Sequence, residues 1–419
     1  MDSGFAIMDC AGINPKYAAG REGWATIKCA SKRAYGCGDT GNSAVQDLDL
    51  LLHQGDLENL SSSLSVHAGD DVFRWIDQVI AEKKGRPAAP GKDRYFMSKV
   101  EIVDKGLIVV TLSFSEYGGF DYYLVFDSFD RSLSMIPYIP EWAACYTKCP
   151  LPLRHESGYS LVLIGGEFSF GREGPKKYIW QWSPMAASWG SIPDSWQTQK
   201  LCLPSQMNNK FFSPDVAFSC NGFAFWTDLA LGTLFCDCSA LLSESYLVKS
   251  KFIPLPPGYQ LDRHEEGIWP VEVYRTMGYV GGSFKFVSID KPRDHCGTRV
   301  KVWTLAAPGP SHKWTLYSEF RLKKLWKDFK MAGLPKNLPM WPMLREQEGS
   351  TLYLILADKT QITGQKHYLC RLDMPTQSLL QAKLLAHTSL ILGPVKLPSG
   401  FFNCLDPLPS SPEPMWMDV

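Results

Sequence analysis

Apolar residues fall in short runs of about three to eight, cut by Gly, Asn, Asp or Pro, which is the pattern of short strands. The runs are Val100–Val103, Leu107–Phe114, Tyr122–Phe126, Leu161–Ile164, Tyr178–Trp182, Val216–Phe218, Phe223–Trp226, Thr233–Cys236, Val271–Val273, Phe284–Ile289, Val300–Leu305, Leu352–Leu356 and Tyr368–Leu372. Helical spacing is rarer. Asp70 and Asp71 precede Val72, Ile76, Val79 and Ile80, a capping acid followed by a 3.6-residue period. Leu322, Leu325, Trp326 and Phe329 fall at i, i+3, i+4 and i+7, and Glu319 stands four residues before Lys323. Residues 44–60 predict a third helix, interrupted by Gly55.

A degenerate repeat runs through these strands. Each copy is an aromatic strand carrying an acid or a Trp, then a turn, then a segment with a Pro-rich stop. The copies are YYLVFDSFDRSLSMIPYIP (122–140), KKYIWQWSPMAASWGSIP (176–193) and GTLFCDCSALLSESYLVKSKFIPLP (232–256), with looser ones at 300–320 and 367–385. Anchored on Asp127, Trp180, Asp237, Trp303 and Cys370, they step by 53, 57, 66 and 67 residues. Kelch-type propeller blades repeat near 50 residues. A thin antiparallel sheet cannot bury both faces alone, and radial stacking buries them against neighbours. The predicted fold is mostly β and β-propeller-like, of kelch type, with about five to six irregular blades and a few short helices. The alternatives are a β-sandwich or two β domains. The expected division is a poorly patterned N-terminal region (1–99) with first strands and an inserted helix and linker, a propeller-like body (100–405), and a Pro-rich tail (406–419). Residues 82–94 read as an exposed basic loop or linker.

Composition narrows the function. The chain has 419 residues, 43 Lys plus Arg and 43 Asp plus Glu. That zero balance argues against a protein built to coat nucleic acid, which needs a positive surplus. No run approaches the roughly 18 apolar residues of a spanning helix. The N-terminus lacks a continuous apolar segment after a basic start, so a cytoplasmic or nuclear rather than secreted protein is expected. The 12 cysteines read as reduced, buried thiols.

Standard catalytic patterns are missing: no nucleophile elbow, phosphate-binding Gly loop, dinucleotide fingerprint or H-E-x-x-H occurs. GREGPKK (171–177) reads as a hairpin turn. Cys145, Cys149 and His155 are three ligand types where structural zinc wants four. Cys236 and Cys238 are two apart on a predicted strand, so both thiols are expected to face one side, buried. His264-Glu265-Glu266 reads as a solvated loop, and the neighbours Asp294, His295 and Cys296 lack the reach of a nucleophile–base pair. No catalytic, cofactor or metal residue is assigned. The interaction candidates are Lys323, Lys324 and Lys327, around the apolar stripe of the last helix, and Trp416 in the tail. Such a helix either docks its stripe on the β body or presents a basic face to a partner.

The middle of the chain resembles the large plant family built around domain of unknown function 1618, abundant in grasses. The resemblance is carried by FSCNGFAFWTDLALGTLFCDC (218–238), KFIPLP (251–256), VEVYRTMGYVGGSFKFVSID (271–290), VKVWTL (300–305), WKDF (326–329) and LPMWPMLREQEGSTLYLIL (338–356). Upstream, GWATIKCASKRAYG (23–36) and FDYYLVFD (120–127) look like the family's opening strands. It covers most of 23–385, is most specific over 218–329, and is departed from at 66–94. The resemblance implies a fold similar to plant F-box-associated propellers, which act as recognition surfaces, and it supplies no catalytic residues. Residues 1–60 lack the Leu-Pro-rich helical start of an F-box. The expected function is a non-catalytic β scaffold for protein–protein or other macromolecular recognition, with no cofactor and another protein as partner. The alternatives are a ligase substrate-recognition subunit, or a hydrolase or transferase whose channel site is assembled from separated residues.

Overall fold

The computed structural model describes residues 5–6, 24–53, 61–85, 96–114, 120–137, 139, 148–156, 158–167, 176–184, 196–207, 210–243, 245–262, 270–290, 297–305, 313–345, 348–358, 366–385 and 395–396. The chain divides into two compact units, residues 1–138 with 192–194 and 389–419, and residues 139–191 with 195–388. The described strands form six sheets, each with the four- or five-stranded plan of a propeller blade. The fold is mostly β and propeller-like.

The first unit holds two sheets and two helices. One sheet orders Trp24–Thr26, Leu48–His53, Ser61–Ala68, Phe5–Ala6 and Val395–Lys396, so strands from both ends of the sequence pair directly, Phe5 opposite Lys396. The other orders Ser31–Ala34, Ser132–Pro137, Phe120–Asp127, Leu107–Phe114 and Met97–Asp104. Helices α1 (Gly38–Gln46) and α2 (Asp70–Lys84) share one apolar core with both sheets.

Residues 44–53 do not form the helix expected over 44–60, and residues 54–60 lie outside the described residues. α1 ends at Gln46, and Leu48–His53 is a strand whose Leu48, Leu50 and Leu52 are buried. Those leucines alternate with Asp49 and Leu51, and the period-two burial wins over a helical reading of the leucine run. α2 forms where expected, but its N-terminus is met from a distance: the Asp47 side chain accepts the Asp71 N–H at 3.1 Å.

The second unit holds four sheets. The third sheet orders Lys148–His155, Gly158–Glu167, Lys176–Trp182, Gln197–Cys202 and Leu247–Lys249. The fourth orders Val216–Cys220, Phe223–Asp228, Gly232–Asp237 and Lys251–Pro254, and the fifth Arg275–Val280, Ser283–Asp290, Arg299–Leu305 and Thr315–Arg321. The sixth orders Met340–Leu344, Thr351–Asp358, Lys366–Asp373 and Ser378–Leu385. Asp127, Trp180, Asp237, Trp303 and Cys370, the repeat anchors, each lie on the third strand of a four-strand meander.

The fifth sheet shows why stacked blades rather than a sandwich form. Phe284 and Phe286 pack with Phe225, Phe235 and Ile253 of the fourth sheet. Val287, Ile289, Val300 and Val302 pack with Leu352, Leu354, Leu356 and Cys370 of the sixth. Both faces of the sheet are therefore apolar and buried, whereas a sandwich sheet buries one face and wets the other. Each such side chain contributes about 1.5–3 kcal/mol.

Two local expectations differ. Val271–Val273 is a 3₁₀ turn, closed by the Val273 N–H on the Pro270 carbonyl at 3.0 Å, and the strand starts at Arg275. The strand carrying Cys236 ends at Asp237, whose carboxylate caps the short helix α3 (Cys238–Leu241). Cys236 is buried and Cys238 only partly so, because the alternation stops between them.

Candidate interaction surface

Three polar groups lie within the second unit, and each is tied into the fold. The first sits at the turn after the Trp226-Thr227-Asp228 strand. Asp228 is fully buried; one carboxylate oxygen accepts the Ala230 N–H at 2.8 Å and the other the Ser213 N–H at 2.9 Å. Asp215 accepts the Leu229 N–H at 2.9 Å, so two acids fix one turn. Lys177, also buried, donates to the Phe212 carbonyl at 3.2 Å. Burial pulls its ammonium down to about 8, against the opposing pull of Asp228.

A lysine whose folded value is depressed binds fewer protons than the unfolded chain between about pH 8 and its ordinary value, so stability rises with pH across that window. The wild-type chain is expected to gain about 2–3 kcal/mol relative to Lys177→Met between pH 8 and 10.5. Parallel urea titrations of the two proteins test this; a difference that stays flat with pH contradicts it.

The second group gathers Tyr259, Arg275, Asp290 and Lys301. Tyr259 donates to Asp290 at 2.8 Å, Lys301 pairs with the same oxygen at 3.2 Å, and Ser288 donates to the other at 2.8 Å. Arg275 donates to the Leu229 and Tyr259 carbonyls at 2.9 and 2.7 Å and lies 5.6 Å from the Tyr259 ring centre. Burial raises the Tyr259 phenol, helped by Asp290, and lowers Arg275. Lys301 moves up because its bonds to Tyr259 and Asp290 outweigh its partial burial. In the third group, Glu348 accepts from Arg345 at 2.6 Å, Tyr353 at 3.0 Å and Arg371 at 3.2 Å. Burial is the main cause that raises Tyr353. In all three groups the carboxylates hold backbone amides, hydroxyls and cations in place.

These groups escaped the sequence reading because their members come from separate strands and loops. Of the segments that carry the resemblance, 218–238 holds Trp226 and Asp228 two apart, the Trp-x-Asp turn of the first group. Cys149 and His155 lie on the strand Lys148–His155, and Cys149 donates to the Pro214 carbonyl at 3.4 Å. Among the described residues no group of three or more His, Cys, Asp or Glu is placed to hold a metal ion. His264, Glu265, Glu266, Asp294, His295, Cys296 and Trp416 lie outside the described residues, as do Cys145, residues 86–94 and the tail 406–419.

Lys323, Lys324 and Lys327 come together on helix α4 (Leu322–Met331). Leu322, Leu325 and Phe329 are buried in the core between the fifth and sixth sheets, with Trp326 packed at its edge. Trp326 donates to the Asn337 carbonyl at 3.3 Å, and Lys336 lies 4.7 Å from its ring centre. The helix thus docks its apolar stripe on the β body, one of the two outcomes expected of it. Glu319 lies on the preceding strand and pairs with Arg299 at 2.5 Å instead of bracing Lys323, because the helix starts at Leu322.

Two ties hold α4 against the outer strand of the sixth sheet and the turn before it. Lys324 reaches the Thr376 carbonyl at 3.5 Å, and Asp328 accepts the Leu379 N–H at 3.5 Å. Lys323, Lys327 and Lys330 share an exposed ridge of the helix, spaced at i, i+4 and i+7 and flanking the side that carries these ties. Met331 closes the helix with 87% of its surface exposed, and Leu380 and Leu384 of the outer strand are 52% and 51% exposed.

The Trp-x-Asp turn and the strand order of the fourth and fifth sheets lie in the segment that carried the family resemblance. Residues 226–353 match the family model described as "Protein of unknown function (DUF1618)". The DUF1618 span opens at Trp226, takes in Asp228, Tyr259, Arg275, Asp290, Lys301 and α4, and closes at Tyr353. No curated protein matches the chain. Among solved structures, the Nup133 β-propeller domain of Vanderwaltozyma polyspora is 9% identical, with a TM-score of 0.37, over 70% of this chain and 75% of that one. The computationally designed Ika8 protein is 8% identical, with a TM-score of 0.33, over 91% of this chain and 90% of that one. An exo-β-1,3-galactanase from Phanerochaete chrysosporium is 8% identical, with a TM-score of 0.29, over 67% and 61%. Likenesses at this level carry no argument about activity. No helix among the described residues is long and apolar enough to cross a membrane.

Proposed function

We propose that the chain is a non-catalytic β scaffold that recognises another macromolecule, most directly a protein, inside a plant cell. The observation that carries this reading is the use made of the charged groups. The buried and half-buried acids Asp228, Asp290 and Glu348 are spent on turns and cross-strand ties. Unengaged charge is displayed on α4 at Lys323, Lys327 and Lys330, and exposed apolar side chains at Met331 and, on the strand next to it, at Leu380 and Leu384. A general acid, base or nucleophile needs a reachable group with an adjacent partner poised for proton transfer. A recognition surface needs exposed anchors on a rigid support, and the stacked blades supply that support.

Native extraction under physiological salt tests the reading. The chain is expected to elute reproducibly in a complex larger than the single chain, with the same partner recovered in independent preparations. Elution as the single chain, together with turnover of activated ester, glycoside or phosphate substrates by the purified protein, overturns it.

A further inference from the structure

We propose that the face formed by α4 and the strand Ser378–Leu385 receives an acidic amphipathic segment of a partner protein. The segment's carboxylates meet Lys323, Lys327 and Lys330, and its apolar side chains cover Met331, Leu380 and Leu384. This rests on the recognition reading and names the surface and the chemistry of its occupant.

Charge complementarity points to the occupant. Residues 321–331 carry five cations, Arg321, Lys323, Lys324, Lys327 and Lys330, and one acid, Asp328. That acid is turned to the Leu379 N–H, so it does not neutralise the outward ridge. The nearby acids are engaged as well: Glu319 with Arg299, and Asp373 with the Thr376 N–H at 2.8 Å. The chain as a whole is neutral, so this excess is local. A local positive field beside exposed apolar side chains suits a ligand with both characters.

The same geometry disfavours an anionic bilayer. A basic amphipathic helix binds lipid by burying its apolar face in the interface. Here that face is already spent, with Leu325 and Phe329 fully buried between two sheets. A phosphate backbone fits less well, since Met331, Leu380 and Leu384 have nothing to offer it. The outer strand supplies a second feature. Its pairing with Lys366–Asp373 shifts register beside Leu380, and Leu384 sits opposite Tyr368 on the side of the core shared with α4. The apolar anchors therefore lie on a strand that α4 covers only in part.

The probe is a fluorescent synthetic peptide of about 14 residues with Glu and Leu at helical spacing. It is compared with a Gln-for-Glu version, a Ser-for-Leu version, and vesicles of phosphatidylcholine and phosphatidylserine. Anisotropy with the full chain is expected to show saturable binding of the acidic amphipathic peptide only, weakening as salt rises from about 50 to about 300 mM. K323E/K327E is expected to lose about tenfold or more in affinity, and L380S/L384S about fivefold or more. Equal binding of the neutral peptide, unchanged affinity in both variants, or binding of vesicles in place of peptide overturns the proposal. Thermal melts that match wild type keep the variants interpretable, because every substituted residue except Leu380 and Leu384 is a helix-surface lysine. A natural partner retained by K323E/K327E refutes this surface while leaving the recognition reading standing; a wild-type chain that holds no partner refutes the broader reading.

Discussion

Replacing Asp228 by alanine is expected to destabilise the second unit by about 3–5 kcal/mol. The carboxylate is fully buried and satisfies the Ser213 and Ala230 N–H groups, which sit on either side of the Trp-x-Asp strand. Alanine leaves both donors without an acceptor where water does not reach. It also removes the negative charge that favours the ammonium of buried Lys177. Asp228→Asn retains one acceptor and is expected to cost about 1–3 kcal/mol. Urea midpoints read by tryptophan fluorescence check both values, and an alanine variant within about 1 kcal/mol of wild type contradicts the account.

Gly232→Ala is expected to cost about 2–4 kcal/mol, combining backbone strain with overpacking. Gly232 opens the third strand of the fourth sheet at φ +150°, a region L-residues rarely enter. An added Cβ would stand 2.4 Å from the Ile253 carbonyl oxygen and 2.5 Å from the tip of the Phe252 ring. The carbonyl belongs to the neighbouring strand, where Gly232 pairs with Pro254, and it cannot swing aside as a side chain can. Gly222 is the matched control. It has φ +79° but nothing within 4 Å of the added carbon, so Gly222→Ala bears the conformational term alone, about 1 kcal/mol. Equal melting temperatures for the two variants would remove the steric part of the argument.

Much of the blade plan was legible because burial on both faces leaves dense apolar strands with sharp ends. Leu107–Phe114 is a strand with the bounds read from sequence, and the five repeat anchors all proved to be third strands. The repeat was readable there because a third strand has partners on both sides and tolerates little drift in pattern. The sheet joining Phe5–Ala6 to Val395–Lys396 was not legible: its pieces are short and far apart in sequence, so no local period announces them. Leu48–His53 misled because a leucine run satisfies either period until its polar neighbours are weighed.

One further signal lay in the sequence. Pro150, Pro214, Pro270 and Pro342 each stand in or shortly before the first strand of a sheet in the second unit. At Cys149-Pro150 and Trp341-Pro342 the residue before proline has φ +55° and +51°, and the pairing shifts register at both places. A missing proline N–H and a bulge are two parts of the same local device.

The candidate surface was half legible. The spacing of Leu322, Leu325, Trp326 and Phe329 gave α4 and its buried stripe, and Lys323 and Lys327 emerged on the outward ridge. Lys324 turned instead to the Thr376 carbonyl. Leu380 and Leu384 carried no warning, since exposed leucines on an outer strand read the same as core leucines until the strand's neighbours are known.

Amide hydrogen exchange of the full chain, with and without the acidic amphipathic peptide, shows which residues the peptide covers. Slowed exchange is expected only over 322–331 and 376–385, with the amides around Tyr259, Asp290 and Glu348 unchanged. Slowing centred on those buried polar groups, or no slowing anywhere at saturating peptide, would contradict the proposed surface.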